Sequence, residues 1–537
     1  MEEKNLVIAD IPAEKFEFAE NQDFKHDAKF DTKPVGYFKD AFRRFRKNKG
    51  SVVAGIILLI LLAYALIVPI ASSNVAKYTR DSYYAKLGPR TTWGYNIGIN
   101  GSSKKEYNEN VLLNYYSIGV GAEYHYDEAT GQEHFADFAE GSHSYYQPVI
   151  KNHGQFYVQQ GSRQTSMYTA NVDAYLQVGF AFQQLSYKEY TAILNYQEKT
   201  GLQVLYPMID TENEDYYGYG TTFEYPNYWY KASSNRYSKG APLDHNGKTQ
   251  SLANGDVEFI DIYLRDAEGK PVFYVRNGGG TAETAGYKVR VLYYNYYRYL
   301  NGVEPSYLLG TDSQGYDMAY RLATGMRLSF GLAILVSLIN FIIGAIYGAI
   351  EGYYGGAIDL VLERISDILA SVPFVVVATL FQLHIAKQVG GFISLLFAFV
   401  MTGWIGTASR VRSQFYRFKN SEYVLAARTL GASDGRIMWK HIFPNSLGTL
   451  VTSSVLVIPG VIFSESMLSY LGIVNLGSST STSLGTLLSE SSTLWNVGYP
   501  NLLLIPAFVI SLLMICFNLF GNGLRDAFNP TLRGADE

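Results

Sequence analysis

The chain has 537 residues, of which 48% are hydrophobic and only 17% carry a formal charge. The apolar residues form runs of about 20, the length that an α-helix needs to cross a bilayer, so a wholly soluble protein is excluded. The net charge of −4 is divided among several segments and indicates no nucleic-acid partner, and the single cysteine, Cys516, excludes an intrachain disulfide.

The first apolar run, Ser51–Ile70, contains no charge and is predicted to be the first transmembrane helix. The segment before it, FRRFRKNKG, carries five basic residues, and such a cluster beside a span marks the cytoplasmic side. We therefore predict that residues 1–50 form a cytoplasmic tail. A cleaved signal peptide is the alternative because ASSNVA follows the run, but the run is too long for a signal core and about fifty residues precede it.

Hydropathy falls after this span, and residues 71–310 hold about three quarters of the 45 tyrosines. Two alternating stretches, Val257–Asp266 and Pro271–Asn277, flank the turn-like DAEGK and predict a β-hairpin. We expect a β or α+β domain, which is extracytoplasmic because one span has been crossed. Its tyrosines suit either the core of a disulfide-free domain or a docking surface. Four histidines recur at intervals of about ten residues, but they lack the tight spacing of a metal site, so none is predicted: His125, His134, His143 and His153.

Five further apolar runs predict transmembrane helices two to six, within a membrane domain of residues 311–530. They are Met326–Ile350, Ile368–Leu383, Gly391–Ala408, Leu447–Leu468 and Asn501–Phe520. Segment 409–446 carries seven Lys and Arg residues and segment 471–500 carries none, so the positive-inside rule places 409–446 in the cytosol. Six spans leave both termini, including the tail 531–537, in the cytoplasm. Arg321 and Arg327 beside the second span are exceptions to the charge rule.

The cytosolic loop 409–446 is longer than a compact membrane domain needs to join two spans. Its inner part predicts two short helices. The first is Glu422–Leu430, stopped by Gly431, and the second is capped by Ser433 or Asp434 and ended by Pro444. One apolar face of the second helix is formed by Ile437, Met438, His441 and Ile442. This pair of helices suits a groove on a soluble partner or, alternatively, an amphipathic connector that lies on the lipid.

The same loop resembles the coupling signature of ABC-importer permeases. That signature has a pair of alanines, a glycine four positions on and a terminal proline, here Ala426, Ala427, Gly431 and Pro444. Three positions differ from its usual residues: Leu425 replaces Glu, His441 replaces Ile and Phe443 replaces Leu. The oligopeptide and dipeptide branch of the family shows such departures, including the His before the proline and the Asn after it, here Asn445.

Other stretches resemble the C-type permease subunit of that branch, although Tyr316 stands where an Arg is usual. The resemblance covers about residues 35–75 and 305–530, and the residues between them form an insertion without a recognisable relative. The matching stretches are KNKGSVVAGIILLILL, LLGTDSQGYDMAYRLATGMRLSF, YYGGAIDLVLERISDILASVP, SESMLSYLG and FNLFGNGLRDAFNP.

The resemblance implies a six-helix type I ABC importer permease fold with the insertion between spans one and two. It also implies a second permease subunit, two cytosolic ATPases and an extracellular substrate-binding protein, either a lipoprotein or a periplasmic protein, that delivers peptide. The chain contains no GxxxxGK[ST] phosphate loop, so we predict that it is not an enzyme and holds no cofactor, with ATP and Mg²⁺ bound by the partner ATPases. The residues expected to couple to the ATPases are Glu422, Tyr423, Ala426, Ala427, Gly431, His441 and Pro444.

Glu465, late in span five, is the ionisable residue with the strongest claim to a pathway role, because charge at membrane depth is costly. The alternative is a residue near the outer end of the span, solvated or hydrogen-bonded to serines such as Ser464 and Ser466. Three other functions remain open: a permease for another solute such as nickel, an anchored enzyme or receptor whose external domain carries the function, and a secondary transporter that needs no ATPase. Four charges in the loop after span two suit either pairing along one helix or contact with an ATPase: Asp359, Glu363, Arg364 and Asp367.

Overall fold

The computed structural model describes residues 37–71, 80–91, 93–94, 99–136, 138, 144–161, 163–210, 226–227, 231–232, 242–254, 257–279, 281–477, 482–494 and 499–528. Most of the predicted tail 1–50, the tail 531–537 and His143 lie outside these residues.

The membrane part is helical. Among the described residues, five helices are long and apolar enough to span a bilayer, and a sixth span results if one bent helix pair is counted as one. The five are Lys49–Ala71, Met318–Tyr354, Gly391–Phe418, Asp434–Tyr470 and Pro500–Phe528. This count agrees with the predicted polytopic fold.

The third predicted span, whose ends are uncertain in the sequence because it contains Pro373, is a bent pair of helices and not one continuous helix. The run Ile368–Leu383 crosses a break between helices Gly356–Ala370 and Phe374–His384, whose axes differ by 70°. Pro373 lies at this break and forms the N-cap of the second helix. Because proline has no N–H group to donate and its ring obstructs the preceding turn, an apolar run through it need not remain one helix.

Several spans contain local irregularities. The fourth divides into Gly391–Gly403 and Ile405–Phe418, and the fifth contains a π-helical turn. The other helical segments of the membrane part are Tyr37–Lys47, Ala386–Val389, Glu422–Thr429, Asp434–Arg436, the π-helix Ile437–Ile442, Phe443–Val455, Val457–Tyr470 and Leu484–Ser491.

The inserted region combines strands and helices, which confirms the β-containing prediction. One antiparallel sheet has the order β1–β5–β4, formed by Ser102–Asn108, Arg163–Asp173 and Val149–Gln160. A second sheet has the order β10–β11–β6, with β7 also paired to β11: Tyr274–Asn277, Gly286–Leu292, Phe180–Leu185 and Leu205–Tyr206. The remaining strands are β2 His125–Asp127, β3 Gln132–His134, β8 Lys231–Ala232 and β9 Pro242–Leu243, and the helices are Glu109–Ala122, Tyr187–Thr200 and Tyr293–Asn301.

The predicted hairpin around DAEGK forms only near its turn. The Val272 N–H donates to the Leu264 carbonyl at 2.9 Å, and Arg265 bridges Pro271. Further along, β10 leaves this partner and pairs with β11 instead. The period-two pattern therefore located extended chain correctly but assigned the second half of the hairpin to the wrong neighbour.

The tyrosines of the inserted region supply much of its core. Six of them are among the largest fully buried side chains of the protein: Tyr84, Tyr124, Tyr175, Tyr206, Tyr294 and Tyr307. Their rings contact one another in tilted, stacked or edge-on pairs, as for Tyr84 with Tyr175 and Tyr175 with Tyr307. For these residues the core interpretation is confirmed.

The two ends of the inserted region lie side by side. The Asp81 N–H donates to Gly315, Lys86 to Asp312 and Arg90 to Tyr307, with N···O distances of 3.0, 2.9 and 2.9 Å. The chain thus enters and leaves the region through adjacent extended segments. A region attached in this way adds mass to a loop without separating the spans that the loop connects.

Candidate functional site

The loop predicted to couple transport begins with the helix Glu422–Thr429, which ends in a Schellman motif. The Ala432 N–H donates to the Ala427 carbonyl at 3.0 Å, and the Gly431 N–H donates to Arg428 at 3.0 Å. Gly431 has φ of +82°, a left-handed conformation that glycine adopts without a steric penalty. The predicted stop at Gly431 is confirmed.

The second part of the loop starts at Ser433, which occupies the N-cap position of Asp434–Arg436 as predicted. The prediction that Pro444 ends this helix is wrong, because the helical path continues from Asp434 to Tyr470. A π-turn over Ile437–Ile442 precedes the proline, and the Phe443 N–H bonds to the Met438 carbonyl five residues back. The wider turn accommodates the proline ring, and a proline in the first turn of the next helix has no donor to lose.

The inner face of the loop is packed into the membrane part. Val424, Ile437 and Ile442 are fully buried, and they join a cluster that includes Phe415 from span four and Tyr353 from span two. The apolar face predicted for the second helix is therefore real, although His441 is only half-buried. The loop is consequently fixed to two spans by hydrophobic contact.

Tyr353, at the end of the helix Met318–Tyr354, adds a polar connection. Its hydroxyl donates to the Asp434 carboxylate at 2.6 Å. The Arg428 guanidinium lies 5.9 Å from the centre of the same ring, so one side chain contacts both short helices of the loop. Displacement of the loop would therefore act directly on this end of span two.

Spans two and four make close backbone contact through a glycine row. A Cβ atom at Gly344 would lie 2.8 Å from the Trp404 carbonyl oxygen, and one at Gly352 would lie 2.8 Å from the Arg412 carbonyl oxygen. A Cβ at Gly348 would overlap the Ala408 carbonyl. Small residues four apart permit this close approach of two helices. The spacing of these three glycines is visible in the sequence and could have predicted a helix contact at this face.

Arg412 is a residue that the sequence analysis missed. Its guanidinium pairs with Asp359 at 2.6 Å and with Glu363 at 3.0 Å, which joins span four to the bent helix pair. Of the four charges predicted in this loop, Arg364 and Asp367 pair along one helix, at 3.0 Å. Asp359 and Glu363, at i and i+4, lie on one face of their helix, and two carboxylates on one face favour a basic partner from another segment of the chain.

The outer face of the loop is exposed. Tyr423 is 39% exposed and Leu430 is 88% exposed, and Glu422, Ala426 and Pro444 also lie on the surface. Ala427 is half-buried. Most of the predicted coupling residues on the first helix are therefore exposed, whereas His441 is half-buried beside the spans.

Glu465 is fully buried between three elements. Its carboxylate accepts hydrogen bonds from Ser329 of span two and from Ser469, each at 3.0 Å, and from Ser466 at 3.5 Å. The Ser329 hydroxyl also accepts from the Leu484 N–H at 3.4 Å, at the start of the short helix Leu484–Ser491. Of the predicted alternative, solvation is wrong because the carboxylate is buried, and hydrogen bonding to serines is confirmed for Ser466, with Ser329 and Ser469 as further partners.

Arg321, one of the exceptions to the charge rule, is buried and forms two ion pairs. Its partners are Asp312, at 3.0 Å, and Glu490, at 3.1 Å. The pKa of Glu490 lies above its usual range because burial raises it, and the neighbouring Arg321 offsets only part of this effect. These pairs connect the exit of the inserted region to the segment before the last span, so Arg321 has a local structural role that the positive-inside rule does not consider.

Comparison with known families decides between the possible kinds of membrane protein. Residues 340–534 match the family described as binding-protein-dependent transport system inner membrane component, and residues 36–89 match the N-terminal TM domain of oligopeptide transport permease C. The chain belongs to the C-type permeases of the oligopeptide and dipeptide ABC transporters. The resemblance found in the sequence is thereby confirmed, and the family is one of transporter permeases, not of enzymes.

Curated relatives of this permease align over 42% of its length. The dipeptide transport system permease protein DppC of Bacillus subtilis is 39% identical over 230 residues, which cover 68% of DppC. The oligopeptide transport system permease protein OppC of the same organism is 40% identical over 225 residues, which cover 72% of OppC. OppC of Haemophilus influenzae is 40% identical over 229 residues, which cover 71% of that protein. Residues 90–339 of the permease lie outside both family matches.

Proposed function

We propose that this permease forms, with a second permease subunit, the membrane pathway of an ATP-driven peptide importer. The family assignment and the relatives named as dipeptide and oligopeptide permeases support peptide as the solute. The description of the family as binding-protein-dependent supports delivery by an extracellular substrate-binding protein. ATP and Mg²⁺ are then bound by two cytosolic ATPase subunits.

The coupling loop is the part of the chain that contacts these ATPases. The observation that carries this proposal is its two-sided construction: Val424 and Ile437 are fully buried against the spans, while Tyr423, Leu425 and Leu430 are exposed on the first helix. A short helix with a fixed inner face and an exposed apolar outer face suits a cleft on a soluble partner. The small side chain of Ala426, on the exposed face, allows close approach of the partner.

Movement of the ATPases is transmitted to the spans by three kinds of contact: a hydrogen bond, close backbone packing and an ion pair. The Tyr353–Asp434 hydrogen bond transmits displacement to span two, and the glycine row transmits it between spans two and four. Arg412 transmits it to the bent helix pair. Closely packed elements respond to a push by moving as units, which is the behaviour required for alternation between inward-facing and outward-facing states.

The inserted region is extracytoplasmic in this proposal. It adjoins Asp317, the N-cap of the helix Met318–Tyr354, while the coupling loop adjoins Tyr353 at the other end. The 37 residues of this helix rise roughly 55 Å, which exceeds the hydrocarbon thickness of a bilayer. With the basic loop 409–446 in the cytosol, the inserted region lies on the opposite side of the membrane.

Two substitutions test the coupling role, both in the complete complex in proteoliposomes. Ala426→Trp places bulk on the exposed face without disturbing the packing of the chain itself, and Gly431→Pro forbids the positive φ at the Schellman motif. We expect both variants to insert and to lose most peptide uptake and peptide-stimulated ATP hydrolysis. Gly435→Ala, at an exposed glycine with open space around it, is the control. Normal uptake and ATPase stimulation by Ala426→Trp would refute the assignment.

In this proposal Glu465 does not contact the solute but holds together the helices that surround the pathway. Its hydrogen bonds hold spans two and five against the start of Leu484–Ser491. The contact there is close, because a Cβ atom at Gly485 would lie 2.5 Å from the Ser466 Cα and 2.7 Å from the Ser469 Cβ. Glu465→Gln retains an acceptor for the serine hydroxyls, whereas Glu465→Leu leaves them unpaired. Uptake retained by the first variant and lost by the second is the expected pattern, and equal uptake by both would contradict this role.

A further inference from the structure

An apolar groove runs along the first span where it packs on the rest of the membrane part. It encloses about 490 Å³ and is open to the outside along one side. Its walls come from the helix Tyr37–Lys47, from span one and from spans two, five and six. The lining residues are Phe42, Phe45, Arg46, Val52, Gly55, Ile56, Leu58, Leu59, Leu62, Phe330, Ile334, Ile458, Phe517 and Phe520.

The two ends of the groove differ in the charge that lies beside them. Among the described residues, Arg46 is the one charged residue that touches the groove, at the end formed by the helix Tyr37–Lys47, and it lines that end with its side-chain carbons while its side chain is exposed. From there, Val52, Leu59 and Leu62 follow span one at helical spacing, so one stripe of this helix lines the groove for about 15 Å. The groove itself is therefore apolar throughout, and a positive charge lies beside one of its ends.

This positive charge lies within a wider cationic surface. Arg43 and Lys49 flank Arg46 in sequence and are also exposed. The acidic residue in this helix, Asp40, pairs with Arg44 at 2.9 Å. A basic cluster at the end of a transmembrane helix attracts anionic head groups of the adjoining leaflet.

We propose that the groove binds one anionic phospholipid, with its phosphate at Arg46 and an acyl chain along Val52–Leu62. The proposal rests on the membrane-spanning assignment and not on peptide import. A phospholipid matches this arrangement, because its negative head suits the cations beside the groove and its long apolar chain suits the groove itself. A transmembrane helix of another subunit would fill the apolar length but would make no use of the positive charge beside its end.

Native mass spectrometry of the purified full-length permease, with any subunits that co-purify, tests the proposal. Phosphatidylglycerol and phosphatidylcholine with identical acyl chains are titrated separately, and the lipid retained is counted. We expect the wild type to retain one phosphatidylglycerol in preference to phosphatidylcholine. Arg46→Gln is expected to weaken phosphatidylglycerol retention about fivefold, the effect of one basic residue at a membrane surface, and to leave phosphatidylcholine unchanged. Arg43→Gln, outside the groove lining, is the matched control: it removes the same charge from the surrounding cationic surface and should weaken phosphatidylglycerol retention clearly less than Arg46→Gln does.

A second pair of variants tests the apolar length. Leu59→Trp fills the groove and should abolish the retained lipid, whereas Ile60→Trp, on the next residue and outside the lining, should not. Leu59 and Ile60 are 66% and 61% exposed, so neither substitution disturbs the packed core. Equal retention of the two lipids by the wild type, or equal loss in a variant and its control, would overturn the proposal. So would efficient cross-linking of Leu59→Cys to the second permease, which would identify the groove as a protein interface.

Discussion

The membrane helices and the inserted region use opposite side-chain sizes where their backbones are held together. Spans two and four meet at Gly344, Gly348 and Gly352, where even a methyl group would contact the neighbouring backbone. The inserted region instead places whole tyrosine rings between its elements. Tyr206, for example, is 1% exposed, packs edge-on against Phe180 and donates its hydroxyl to the Ala122 carbonyl at 2.9 Å.

The difference follows from the solvent that each region faces. In water, burial of a large aromatic ring is strongly favourable, and the hydroxyl requires one hydrogen-bond partner when it is buried. In lipid, removing an apolar side chain from the surroundings gains little, so helices associate through close van der Waals contact, which small residues permit. One chain therefore contains two kinds of core, and each should fail in its own way when it is perturbed.

The largest expected effect is in the aromatic core. Tyr206→Ala removes a fully buried ring and should lower the free energy of unfolding of the inserted region by about 3–5 kcal/mol. Tyr206→Phe removes only the hydroxyl donor and should cost about 1 kcal/mol. Protease sensitivity of the inserted region in the full-length protein, followed against temperature, measures both. Tyr157→Ala, at a ring that is 60% exposed, is the control. Equal melting of Tyr206→Ala and wild type would show that the ring is not a core element.

An intermediate effect is expected in the membrane core. Gly348→Ala inserts a methyl group against the Ala408 carbonyl, and overpacking of this kind costs about 1–3 kcal/mol. Gly331→Ala lies in the same helix, where a Cβ would meet nothing within 4 Å, and should not destabilise the helix. The thermal midpoint of the detergent-solubilised permease, measured by loss of the monodisperse chromatographic peak, compares the two. A reversed order would mean that spans two and four separate readily.

Sequence patterns predicted the features that depend on local composition. Apolar runs located the membrane helices, and the residues around Gly431 located the short helix and its left-handed stop. The break before Phe374, the π-turn before Pro444 and the Arg412–Asp359 pair were not predicted, because each is decided by contacts between segments far apart in sequence. The tyrosines remained ambiguous for a physical reason: aromatic residues are favoured both in cores and at interfaces, so only burial distinguishes the two.

The smallest effect is expected at the outer half of the β4–β5 hairpin. β1 accompanies β5 only as far as the Asn108–Met167 pair, whereas β4 and β5 continue to the Gln160–Arg163 pair. Within the described residues, this outer half pairs with no third strand. Replacing Val158–Thr165 by Asn-Gly retains a hairpin turn and, among the side chains whose exposure is described, removes none that is buried. The free energy of unfolding should therefore change by less than about 0.5 kcal/mol in the protease assay. If the free energy of unfolding fell as much as it does in Tyr206→Ala, another part of the molecule would have to cover the outer half of this hairpin. The inserted region would then contain a third packed layer.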